Sequence, residues 1–189
     1  RGTAQFIASI DGDPNHALVS ISPWDAAGNE GAISTAYRMD LRDGSMARIL
    51  TAPLRDMDFV ADHHGHVRFA YGEDVNGKAR IYYHPQDGDG WQPMSKASED
   101  RSYPWAFSRD DSVTYFTCTP PDGGFGVCTW NPTIQALTPV WSNPKVGADG
   151  FVYGMAHDSI VGVDFTDGRP GMALFDNQSD DAKALIELS

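Results

Sequence analysis

The residues best suited to chemistry are few, and each has a structural role to weigh against a reactive one. His63, His64 and His66 follow Asp62 and form the densest cluster of potential metal ligands. Imidazole and carboxylate are groups that zinc accepts, but zinc sites usually add ligands from a second element. Adjacent residues of an extended chain point to opposite sides. The run therefore reads as a polar turn between two strands. Asp11-x-Asp13-x-Asn15 begins like a calcium-binding loop. His16 stands where that loop requires Gly, and Ser22 where it requires a bidentate Glu. Asx turns that satisfy their own backbone account for it better. Asp87-Gly88-Asp89-Gly90 reads as a hairpin turn.

Nucleophilic and phosphate-binding signatures are missing from the sequence. An α/β serine hydrolase needs Gly-x-Ser-x-Gly on a strand-to-helix turn. The nearest fragment, Gly44-Ser45, lies in an Asp-Gly turn. Gly123-Gly124-Phe125-Gly126 is Gly-rich but sits between two strands and opens no helix, unlike a phosphate-cradling loop. Asn177-Gln178-Ser179 is formally a glycosylation sequon. No catalytic, cofactor-binding or metal-binding residue is assigned, and no cofactor is expected.

Cys118 and Cys128 are the two cysteines. Cys118 ends one predicted strand and Cys128 lies in the next, with the hairpin centre near Gly123. A symmetric hairpin would set them opposite one another, at the ~4.5–5.5 Å Cα spacing that a disulfide tolerates. A slip of one residue would put them on opposite faces. Two readings stay open: a disulfide, or two buried thiols.

The elements that must carry these residues follow from composition. The chain has 189 residues and a formal net charge of −12, with 41% hydrophobic residues. That is enough apolar content for a packed core and too much for a disordered chain. No apolar run approaches the ~20 residues of a membrane helix. Only four lysines, at 78, 96, 145 and 183, are present, and they are scattered. Nucleic acid is therefore not an expected partner, and neither is a membrane. Of 26 carboxylates, 22 are Asp, and Asp favours turns and caps over helix interiors. The composition points to short strands joined by turns. The chain opens at Arg1 without Met, as a trimmed or processed chain would, so localisation is open between periplasmic or secreted and cytoplasmic.

Short β-like runs recur with one grammar: an Asp turn, an apolar strand, a Gly loop, a strand, an Asp-Gly turn, a strand. Val67 lies 49 residues after Leu18, Val113 lies 46 after Val67, and Val152 lies 39 after Val113. Four strands per period of about 40–50 residues is the signature of propeller blades. A β-sandwich has similar strand spacing but not this recurring order. The fold class is therefore all-β, with propeller-type blades of four antiparallel strands. The approximate blades are 5–55, 56–98, 103–142 and 144–178. About four blades fit part of a larger propeller better than a whole one. After Ser179-Asp180-Asp181, Ala182, Leu185 and Ile186 take helical spacing, which predicts a short C-terminal helix over 180–188.

Several segments together resemble the propeller domain of the prolyl oligopeptidase family of serine peptidases, in its dipeptidyl and acylaminoacyl-peptidase branch. Tyr37 to Gly44 resembles a strand and turn of that domain. Phe59-Val60-Ala61-Asp62 through Gly65 to Ala70 is similar to its blade-opening hairpin, and Phe107 to Asp111 through Tyr115-Phe116 is a second copy. Ile160 to Val163 through Arg169-Pro170 and Phe175-Asp176 resembles the approach to a later blade. The resemblance implies a non-catalytic propeller portion that gates and selects peptide substrates for a separate α/β-hydrolase domain. The catalytic residues would belong to that domain, and none maps onto this sequence. The expected partners are then a peptide substrate and the hydrolase domain, with self-association through open sheet edges. The rival reading is a stand-alone binding or scaffold propeller without enzyme activity. A small β-sandwich enzyme is a third.

Overall fold

The structure, a computed structural model, describes residues 2–24, 31–86, 88, 90–121, 123–154, 159–176, 179–180 and 183–184. The chain folds as two compact units, Arg1–Pro104 and Trp105–Ser189.

The first unit contains two four-stranded antiparallel sheets, each built from consecutive strands. β1 (Gly2–Ile10), β2 (Asp13–Pro23), β3 (Thr35–Asp40) and β4 (Met46–Thr51) form one sheet in chain order. β5 (Met57–Ala61), β6 (Val67–Glu73), β7 (Ala79–Tyr83) and β8 (Gln92–Pro93) form the next. The β1–β2 turn is tighter than the sequence suggested. Asp13, Pro14 and Asn15 already belong to β2, and Asp11-Gly12 alone makes the reversal, with Gly12 at φ 73°. The sequence also predicts a loop over Asp25–Gly31 between two strands, and it falls outside the described residues except for Gly31. A one-turn helix, α1 (Ser95–Glu99), follows β8. The sequence reading placed no helix there.

The two sheets of this unit bury one face against each other. Leu18 and Ala36 of the first pack with Met57, Phe59, Val67 and Ala70 of the second, and Ala52 joins them from the connection. Phe69 and Leu18 are fully buried. Trp91 closes the seam. Its ring stacks on Phe59 with centroids 6.2 Å apart, and its indole N–H donates to the Thr51 carbonyl at 2.8 Å. That bond ties the loop before β8 to the outer strand of the neighbouring sheet.

The second unit repeats the plan. β9 (Pro104–Phe107), β10 (Thr114–Cys118), β11 (Phe125–Asn131) and β12 (Ala136–Asn143) make a four-stranded sheet. β13 (Gly150–Tyr153), β14 (Ile160–Thr166) and β15 (Pro170–Leu174) make a sheet of three strands among the described residues. Its core is aromatic: Phe151 packs against Trp105 and Tyr115, with ring centroids 4.2 and 5.4 Å away, and Tyr115 stacks on Phe175. Gly162 is required by close packing, because a Cβ there would lie 2.2 Å from the Ala173 carbonyl oxygen of β15. Of the predicted 180–188 helix, only Asp180, Lys183 and Ala184 are described. These are helical, and Lys183 N–H donates to Ser179 O at 3.1 Å.

The outer strands carry features that disfavour a further strand. Pro93, Pro139 and Pro170 sit in β8, β12 and β15, and each lacks the N–H that a further strand would use. Register shifts interrupt the β3–β4 and β11–β12 ladders, and bulges twist an edge away from added pairing.

Leu18→Ala should lower unfolding stability by ~2–5 kcal/mol, since it opens a cavity between packed sheets. Ile49, an exposed residue of β4, should tolerate the same truncation with a change of under about 0.5 kcal/mol. Urea unfolding of the two variants checks the contrast.

Candidate functional site

The hairpin that carries the histidine run is organised by Asp62, whose side chain is 2% exposed. Its carboxylate accepts the backbone N–H groups of His64 at 3.1 Å and His66 at 2.8 Å. It also meets His66 Nδ1 and an Arg68 guanidinium nitrogen, both at 3.2 Å. Arg68 in turn donates to the Tyr83 hydroxyl at 2.8 Å. His63 contributes its carbonyl to Asp11 N–H, pinning the β1–β2 turn to the β5–β6 turn. Asp62 thus shapes a turn, and the buried charge is matched by several donors.

The same device recurs in the second unit with different residues. Ser108 takes the place of Asp62, with its hydroxyl oxygen accepting Val113 N–H at 2.9 Å. Ser108 and Ser112 hydroxyls donate to Asp110 at 2.7 Å, and Ser112 N–H adds a bond at 3.2 Å. These bonds hold the Asp110 carboxyl down to about 2, from an ordinary 3.8.

Asp11 lies in the β1–β2 turn, whereas Asp13 to Asn15 open β2, where Asp13 joins an ion-pair network. Asp13 of β2 accepts from His16 Nδ1 at 2.8 Å, from Arg38 and from Asn15 N–H. His16 Nε2 faces Asp40 at 3.9 Å. Asp40 is gripped by the Arg42 guanidinium and backbone N–H, which hold its carboxyl well below the usual carboxylate range. These carboxylates are engaged by cations of their own sheet.

Cys118 and Cys128 are joined in a disulfide with Cα atoms 5.9 Å apart. They are diagonal neighbours rather than opposed. Cys118 faces Gly126 and Cys128 faces Phe116. The register is displaced by two residues from the symmetric hairpin, and an even shift keeps both side chains on one face. The turn explains the displacement. Gly123 N–H closes on Pro120 O, and Gly123 and Gly124 take positive φ. Asp87, Asp89, Asn177 and Gln178 fall outside the described residues.

The concave surface best suited to a partner is a cleft of about 460 Å³ where the loops of the first unit meet. Ile33, Pro53, Leu54 and Val75 supply its apolar lining, and Asp56, Glu73 and Asp74 bring carboxylates to it. The β4–β5 connection is fixed by a reciprocal pair: Asp56 N–H donates to Ala32 O at 2.9 Å, and Ala32 N–H to the Asp56 carboxylate at 3.1 Å. Asp56 holds a left-handed φ of 53°, a costly conformation that its side-chain bond supports. Arg55 donates to Gly31 O at 2.8 Å. Across the cleft, the Asp74 carboxylate organises the β6–β7 turn by accepting Asn76 and Lys78 N–H groups, with Arg80 as its ion-pair partner. Those contacts lower the Asp74 pKa, the Lys78 backbone bond most of all. Val75, in that turn, is 85% exposed. No local pattern in the sequence marks this cleft. The available signal was a lone Val within Asp74-Val75-Asn76-Gly77.

No family model matches the chain, and no curated protein matches it. Among solved structures, it is similar to TolB from Acinetobacter baumannii, with a TM-score of 0.55 and 12% sequence identity. The likeness covers 95% of this chain and 45% of that one. At that identity it shows the fold alone, and the fold is that of a β-propeller. The chain spans less than half the length of this structural neighbour.

Two expected outcomes follow from the hydrogen bonds and the bridge. A carboxyl whose folded pKa is depressed stabilises the protein above the unfolded value, and that contribution disappears as pH falls through the folded value. For Asp110 the window runs from 3.8 down to about 2. Asp110→Asn should flatten the part of the acid-unfolding profile that lies in this window, as read by circular dichroism against pH. Reducing the Cys118–Cys128 bridge, or replacing both by Ser, should cost about 2–3 kcal/mol, the loop-closure value for a short loop, as measured by denaturant unfolding.

Proposed function

We propose that the chain is part of a non-catalytic propeller domain that binds an extended protein segment at the loop cleft of its first unit. The segment would present an apolar side chain flanked by Lys or Arg. The observation that carries this reading is the cleft itself, where exposed Val75 and Ile33 stand beside three carboxylates. Apolar contact supplies affinity, and the surrounding charge selects cationic sequences and speeds encounter. The likeness to a propeller protein supports a binding surface made of blade-end loops, without identifying what it binds.

The blade-motif copies beginning at Phe59 and Phe107 favour a second reading. In it the same surface selects peptide substrates for an α/β-hydrolase domain of a serine peptidase. The two readings separate on the parent reading frame: the peptidase reading requires a Gly-x-Ser-x-Gly on a strand-to-helix turn downstream of Ser189. A parent without that motif would remove it and leave the first reading standing.

Fluorescence anisotropy with a labelled peptide carrying Leu between Arg residues tests the binding surface. Val75→Asp should weaken binding about tenfold or more, since it places a charge on an apolar contact, while thermal stability stays unchanged. A scrambled peptide with Glu in place of Arg should bind far more weakly. Equal binding of both peptides, or no effect of Val75→Asp, would refute the assignment.

A further inference from the structure

A second cleft of the first unit has the opposite character. It opens between β7 and α1, has a volume of about 580 Å³, and is lined by Lys78, Arg80 and Arg101 with Ser95 and Ser98. Glu99 is its single carboxylate. In a chain with 14 Lys and Arg against 26 acids, three cations against one carboxylate is a reversal of charge among the lining residues, while Asp74 and Glu73, just outside the lining, pair with Arg80 and Arg101.

The backbone makes the reversal more pointed. α1 ends in a Schellman arrangement: Ser102 N–H donates to Ala97 O at 2.8 Å, and Arg101 N–H to Ser98 O at 3.3 Å. The residue after the C-cap in this motif takes a left-handed conformation, and Gly is its usual occupant. Here Arg101 occupies it, at φ 51°. A side chain at that position costs stability relative to Gly. Its guanidinium reaches back across the cleft mouth to donate to Gly77 O at 3.0 Å, and it lies 3.5 Å from Glu73.

The other donors are similarly held without being used up. Arg80 spends one nitrogen on Asp74 at 2.6 Å, and a guanidinium carries five N–H donors. Ser98 Oγ accepts Ile81 N–H at 2.9 Å, which leaves its O–H free to donate. Lys78 Nζ has no ion pair among the described residues. β8 pairs with Tyr82 and Tyr83, and Met94 N–H closes on the Ile81 carbonyl, so among the described residues the outer side of β7 before Ile81 is not paired with another strand. That missing stretch of strand is what leaves room for a ligand.

We infer that the cleft between β7 and α1 is a binding site for a small molecule carrying an oxyanion, a phosphate or a carboxylate, held by Arg101, Arg80 and Lys78 with the Ser98 hydroxyl as a further donor. Planar guanidinium groups suit such oxyanions by offering paired donors. The cavity is of the size that takes a small ligand rather than a protein surface. Affinity falls as salt screens the attraction between the ligand and these exposed cations.

Isothermal titration with inorganic phosphate and, separately, with succinate tests the inference on the whole chain. At least one should bind, with affinity decreasing as sodium chloride is added; phosphate alone assigns a phosphate ligand and succinate alone a carboxylate ligand. Arg101→Gly should reduce affinity about tenfold or more, the scale of a lost charge-assisted bond, while its melting temperature holds or rises because the strained position is relaxed. Lys78→Ala, at an exposed turn, should reduce affinity several-fold and provides an independent reading. Failure of both anions to bind wild-type protein would overturn the site, as would unchanged affinity in both variants.

Discussion

A four-stranded sheet of short strands has two faces and too little thickness to bury either unaided. Everything else in this protein depends on how that constraint is met within each unit: consecutive sheets lie face to face and share one apolar layer. Leu18 and Ala36 need Met57, Phe59 and Val67 across the seam, and Tyr115 and Val127 need Phe151 and Val163. The layer between sheets is mainly aliphatic around the Phe59–Trp91 stack in the first unit, and centres on Tyr115, Phe151 and Phe175 among valines in the second. Short connections follow from the same requirement, because a strand that leaves one sheet must enter the next on the adjoining face. Loops collect at the sheet ends, and those ends are where clefts can form.

The acidic composition has a mechanical meaning in this scaffold. Asp13, Asp40, Asp43, Asp62, Asp74 and Asp110 each accept a backbone N–H a few residues onward. A short carboxylate reaches its own backbone where Glu would overshoot, and it satisfies donors that a tight turn leaves unpaired. Several of these groups also hold a cation: Arg38 at Asp13, Arg42 at Asp40, Arg80 at Asp74. The turns are therefore stiff and polar. Pairing turn carboxylates in this way spreads the negative charge over the loops. Lys78, which has no ion pair among the described residues, then stands out.

How much of this was legible in the sequence depended on the range of the forces involved. The blade period was readable because alternating apolar residues and Asp-Gly turns are local and repeat at every sheet. Strand ends were less so: β2 begins at Asp13, inside what reads as a turn, because Asp13 finds partners on β3 that only the folded sheet supplies. α1 was invisible for a related reason. Ser95–Glu99 is a single turn with no side-chain N-cap, too short to show helical periodicity, and it exists because β7 and the Schellman closure hold it. The cysteine register turned on where Pro120 and Gly123 close their turn, a choice worth two residues. The apolar cleft depended on loops distant in sequence, Ile33 and Val75, which no local pattern could join. Arg101 carried no sequence signal either, since only a dihedral angle reveals that an arginine occupies a glycine's position.

The bridge across the β10–β11 hairpin has a consequence for the integrity of the molecule. The β10–β11 connection exposes Pro121 and Gly123, an exposed glycine-bearing loop of the kind where nicking concentrates, and Cys118 and Cys128 stand on either side of it. A cut anywhere between them severs the backbone without releasing a fragment. The nicked chain keeps both halves of its ladder covalently joined and migrates as one molecule until a reductant is added. The disulfide thus separates two properties that usually go together, continuity of the peptide chain and continuity of the molecule.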